Sequence, residues 1–97
     1  MTTEIEEKFQ NLSQAKTVRG CFILNADGAP IKSSLDAKTT ESYANMMHEI
    51  VTTSRRLFQE QDANNDLTFV RFRTRKHEIM VAPEKQFLLV VIHHPQE

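Results

Sequence analysis

Apolar positions along the chain switch between helical and strand periods, and the switches divide it into elements. Ile5, Phe9 and Leu12 recur at helical spacing, which predicts a short amphipathic helix over residues 3–15. Thr3 and Glu6 stand in capping-box positions, and Glu4, Glu6 and Glu7 suit the positive end of the helix dipole. Three apolar anchors make a helix that is marginal alone and has to dock. In Val18–Leu24, Phe22 and Leu24 point one way and Cys21 and Ile23 the other, so this strand is apolar on both faces and central. Gly20 within it permits close approach of a neighbouring element. Asn25-Ala26-Asp27-Gly28 holds an Asp-Gly hairpin signal, and 29–34 returns as a second strand with Pro30 and Lys32 suited to a sheet edge.

A polar connection over 36–40 follows, with Thr39 or Thr40 as helix cap. Tyr43, Met46, Met47, Ile50, Val51, Leu57 and Phe58, with Ser54 in register, then mark a long helix from about Thr40 to Gln61. Asn64, Asn65 and Asp66 are turn formers ahead of a third strand, Leu67–Arg73. His77–Ala82 reads as a fourth strand stopped by Pro83. Phe87–Ile92 reads as a fifth, apolar on both faces and ended by Pro95. The two doubly apolar strands, first and fifth, should be neighbours, and short connections pair the rest as hairpins. The expected fold is a single α+β domain over residues 1–97, layered α/β/α: helix-strand-strand-helix-strand-strand-strand, with an antiparallel five-stranded sheet in the order 2-1-5-4-3.

In that order the third strand is outermost. Alternation puts Leu67, Phe69, Arg71 and Arg73 on one face and Thr68, Val70 and Phe72 on the other. A long, apolar, proline-free edge invites pairing with another chain. The stripe of the long helix is also wider than one small sheet needs. Together these predict a homodimer, with an interface built from Tyr43, Met47, Ile50 and Ser54 on the helix and Leu67, Phe69, Arg71 and Arg73 on the strand. A two-fold axis makes such a seam self-complementary.

Composition narrows the function. The chain has 26% charged and 39% hydrophobic residues and a net charge of −1, an ordinary globular balance that gives no reason to expect nucleic acid or an anionic membrane. No apolar run approaches a membrane span, the N-terminus is no signal peptide, and the single cysteine, Cys21, fits a reducing compartment. Cys21 is a candidate nucleophile, but a small buried hydrophobe on a central strand is the favoured reading. His93 and His94 alternate across a strand and cannot chelate one metal together; His48 and His77 stand alone. With two glycines there is no phosphate loop. No catalytic, cofactor or metal residue is expected. Arg71, Arg73, Arg75 and Lys76 form a basic cluster, read as a solvated or ion-paired strand end with Glu60 or Asp62 as partners.

Asn65-Asp66-Leu67-Thr68-Phe69 and Glu78-Ile79-Met80-Val81-Ala82-Pro83 closely resemble the roadblock family of dynein light chains. So do Asn25–Ser33 and the ending Val91-Ile92-His93-His94-Pro95-Gln96-Glu97. The resemblance implies a non-enzymatic homodimer in the cytoplasm and cytoskeleton, cytoplasmic or axonemal, that binds the dynein intermediate chain and supports microtubule-based transport. It also implies an alternative, since the fold serves scaffolds that regulate a small GTPase. Longer members carry a third helix after the last strand. Its absence predicts an apolar strip under the first helix, where an intermediate-chain helix would lie beside Ile5, Phe9 and Leu12.

Overall fold

A computed structural model describes residues 4–94. Its elements are α1 (Glu4–Ser13), β1 (Val18–Leu24), β2 (Pro30–Ser33), α2 (Ala37–Gln61), β3 (Val70–Arg73), β4 (Glu78–Glu84) and β5 (Phe87–His93). The strands form one sheet in the order β2-β1-β5-β4-β3, every neighbouring pair antiparallel. The α+β architecture and strand order are those expected from the burial pattern. Thr3 as helix cap and Pro95 as strand terminator lie outside the described residues.

The sheet separates two cores. On the α2 face, Phe22, Leu24, Ile79, Val81, Val90 and Ile92 pack with Ala44, Met47 and Val51. On the α1 face, Cys21, Ile23, Leu89 and Val91 pack with Phe9, while Ile5 and Leu12 flank them. The alternation of β1 and β5 therefore serves both layers, which is why these strands are apolar on both sides. Gly20 is required by close approach: a Cβ there would come within 2.5 Å of the Leu35 side chain. Gly28 takes φ +88 in the β1–β2 turn, a conformation that suits glycine. The Asn25 side-chain oxygen closes that turn by accepting from the amides of Asp27 (3.0 Å) and Ala29 (2.9 Å).

Three boundaries differ from expectation, each for a local reason. The long helix begins at Ala37 with Asp36 as N-cap, so Thr40 lies inside its first turns rather than capping it. The buried Thr40 hydroxyl donates to the Asp36 carbonyl (2.8 Å) and meets the Ser33 hydroxyl (2.7 Å), which satisfies it within the α2–β2 junction. β4 runs through Pro83 to Glu84. Its ladder with β3 ends at Val81, so one side of β4 is an open edge at Pro83, where a missing N–H is tolerated. β3 is shorter than expected: only Val70–Arg73 joins the ladder, and 65–69 runs as an irregular segment. That segment is tied to α2 instead. Arg55 Nε donates to Asp66 Oδ1 at 2.9 Å, and the Leu67 amide donates to the same oxygen at 2.7 Å. Strict alternation fails before Val70 for this reason, and Leu67 packs on the same core as Val70 and Phe72.

Candidate interaction surface

The 25 residues of α2 span about 37 Å at ~1.5 Å each. The helix starts against β2, through Thr40 and Ser33, and its C-terminal part reaches the segment that leads into β3, through Arg55 and Asp66. Its inward line is Thr40, Ala44, Met47 and Val51, all buried. In its last turns Leu57 and Phe58 are each 50% exposed, and Phe69, just ahead of β3, is also 50% exposed. Met46 is 43% exposed on the same helix. Among the described residues, four of the five exposed large hydrophobic side chains thus belong to α2 or the approach to β3; the fifth, Ile31, stands on β2. Ser54, Leu57, Phe58 and Gln61 line a shallow depression in the last turns of α2.

The expected interface residues are placed unequally. Tyr43, Ile50, Ser54 and Leu67 are half-buried, and Phe69, Arg71 and Arg73 are exposed on or beside the unpaired edge of β3. Met47 is 2% exposed inside the α2 core and has no surface to offer a partner. Leu57 and Phe58 offer that surface instead. The helical stripe signalled them, but its division between core and surface depends on where the helix leaves the sheet. Arg71 and Arg73 share the α1 face of β3. Arg71 pairs across the strands with Glu78 at 3.0 Å, not with Glu60 or Asp62. Glu60 pairs with Arg56 at 2.9 Å along α2.

The α1 face is differently arranged from the open strip expected there. Phe9 is buried, Ile5 and Leu12 pack around it, and the Lys32 ammonium lies 5.1 Å from the Phe9 ring centroid. Lys8 reaches from α1 to Glu84 and closes the gap between that helix and β4. Ile5, Phe9 and Leu12 therefore form the chain's own second core.

Cys21 is fully buried, and burial pushes its thiol up from its ordinary pKa, against a smaller lowering effect of Ser34. His77 sits below its usual value because burial and the neighbouring Arg19, Lys76 and His94 disfavour its charge. Arg19 Nη1 lies 2.7 Å from His77 Nε2, which suits a neutral ring accepting that bond. The His93 Nε2 atom is buried without a hydrogen-bond partner among the described residues. Among those residues, no group of three His, Cys, Asp or Glu side chains could hold a metal ion, and no helix is long and apolar enough to cross a membrane.

These features define a small three-layer domain whose sheet ends in two terminal strands, β2 and β3. The chain belongs to the Roadblock/LC7 domain family, whose model matches residues 4–93. Among solved structures it is similar to Myxococcus xanthus MglB, with a TM-score of 0.77 and 19% identity, covering 97% of this chain and 75% of that one. A Roadblock/LC7 domain from Streptomyces avermitilis matches with a TM-score of 0.76 and 14% identity, over 86% of this chain and 71% of that one. A structure described as MglB with tetrameric arrangement matches with a TM-score of 0.75 and 9% identity, over 97% and 76%. At these identities the likeness is one of fold.

The family and fold expectations stand, and the motor-subunit expectation is corrected. These three structures are described as MglB proteins and a Streptomyces roadblock domain, not as dynein subunits. The dynein intermediate chain as partner and the cytoskeletal, ciliary or axonemal location lose their support with it.

Proposed function

We propose that this chain is a non-catalytic, homodimeric roadblock scaffold that regulates a small GTPase. The observation that carries the association is the coincidence of an unpaired β3 edge with half-exposed Leu57, Phe58 and Phe69. Two copies related by a two-fold axis would pair β3 with β3 and bring together the Tyr43, Ile50, Ser54 and Leu57 stripes. Arg71 and Arg73 would then flank the seam and set its register. The tetrameric arrangement of one MglB structure supports self-association in this fold. The likeness to MglB, rather than to a motor subunit, supports the second role that the family resemblance implies, regulation of a small GTPase. The seam is made by burial and strand pairing; no reactive group is needed.

Affinity purification with the tagged chain as bait, read by mass spectrometry, tests the partner class. A small GTPase should be enriched over an unrelated bait of similar size. Replicate purifications that enrich no small GTPase overturn the reading.

A further inference from the structure

A cleft of about 100 Å³ opens on the flank of α2 opposite the Leu57 stripe, where the β1–β2 turn and the β4–β5 turn converge on the helix. His48, Thr52 and Arg55 line it from α2, at i, i+4 and i+7, and therefore share one side of the helix. Lys85 and Gln86 enter from the β4–β5 turn, and Val51 and Leu88 add apolar wall. None of the lining residues is acidic; its permanent charges, Arg55 and Lys85, are both positive.

Two features hold these groups in place. Lys85 takes φ +56, a left-handed conformation unusual outside glycine, asparagine and aspartate. It is the first residue of the two-residue hairpin turn between Glu84 and Phe87, a position that favours positive φ. On the opposite wall, the His48 ring packs over Gly28 so closely that a Cβ there would come within 2.7 Å of it. The Arg55–Asp66 bond is made through Nε, which leaves the terminal guanidinium nitrogens for another acceptor. A guanidinium presents paired donors that match the oxygens of a phosphate or sulfate, and a lysine adds a point charge.

We propose that this cleft binds a small phosphate-class oxyanion, gripped by Arg55 and Lys85, with the Thr52 hydroxyl as a further donor. The site lies apart from the β3 seam and does not depend on dimerisation or on the GTPase reading. Its wet, cationic lining and small volume exclude a large apolar ligand.

The test is an NMR titration of the full chain with inorganic phosphate at constant ionic strength, with chloride as the control anion. Saturable shifts at Thr52, Arg55, Lys85 and Gln86 are expected with phosphate and not with chloride. Lys85→Asn removes the charge while keeping a residue that tolerates positive φ. It should weaken binding by about tenfold, or ~1.4 kcal/mol, without lowering the thermal midpoint. Lys76→Asn, in the β3–β4 turn outside the cleft, should leave binding unchanged. Equal responses to phosphate and chloride, unchanged affinity in Lys85→Asn, or equal weakening in Lys76→Asn each overturn the proposal.

Discussion

On α1, Ile5, Phe9 and Leu12 lie against β1 and β5, and Phe9 is 5% exposed. Across the molecule, Leu57, Phe58 and Phe69 are each 50% exposed. On paper the α1 set and the α2 stripe that runs into Leu57 and Phe58 look alike, as apolar residues at helical spacing, while Phe69 lies beyond the helix. They differ in what lies beneath them. α1 sits over the two central strands, whose α1-facing residues are apolar. The end of α2 reaches the edge strand, where the sheet stops and the neighbouring segment over 65–69 has left the ladder. A stripe over the middle of a sheet becomes core, whereas a stripe at its edge stays half in water.

The largest expected effect breaks the first half of this contrast. Phe9→Ala should destabilise the subunit by about 3–5 kcal/mol, since it empties a buried aromatic site. Urea denaturation measures this, and a loss under about 1 kcal/mol would mean that α1 is not a core element. Phe69→Asp attacks the other half. If a second copy covers the exposed half of this ring, the change removes roughly 0.8–1.5 kcal/mol of apolar burial and adds a carboxylate to a desolvated seam. Association should weaken sharply while the monomer's denaturation curve stays close to that of the parent, because the side chain is half exposed in the single chain. The opposite edge supplies the contrast: Ile31→Asp on β2 should leave association unchanged and shift stability by less than about 0.5 kcal/mol.

Smaller effects sharpen the boundary between the regions. Arg55→Ala cuts the tie between α2 and Asp66, an exposed pair worth about 0.2–1 kcal/mol. Hydrogen exchange should speed up at Leu67 and its neighbours while β1 and β5 stay protected. The smallest effect is a pH dependence. The His77 pKa is lowered in the fold from 6.5, so the unfolded chain binds its proton more readily. Stability should therefore be level above about pH 6.5 and decline as pH falls below it. In His77→Gln that decline should be shallower in acid-titrated thermal melts.

The element order and strand order were legible because β1 and β5 announce themselves as doubly apolar, and hairpin connections leave few alternatives. The roadblock family was legible from the stretches around β3 and β4. What stayed hidden depends on non-local placement. Met47 and Leu57 share one helical stripe, yet the path of α2 over the sheet buries one and exposes the other. Pro83 reads as a strand terminator unless the open side of β4 is known. Arg71 finds Glu78 on the diagonal across the β3–β4 hairpin, a contact visible only once the register sets Arg71 opposite Met80 and Arg73 opposite Glu78. The cleft lined by His48, Arg55 and Lys85 has no sequence motif, because two turns far apart in the chain build it.

The central claim is that the β3 edge and the end of α2 form a self-complementary seam. Sedimentation velocity of the parent chain and of Phe69→Asp at micromolar concentration tests it most directly. The parent should sediment as a dimer, at twice the 11.2 kDa chain mass, and the variant should move to the monomer position. A parent chain that sediments as a monomer, or a Phe69→Asp dimer as tight as the parent, would contradict it.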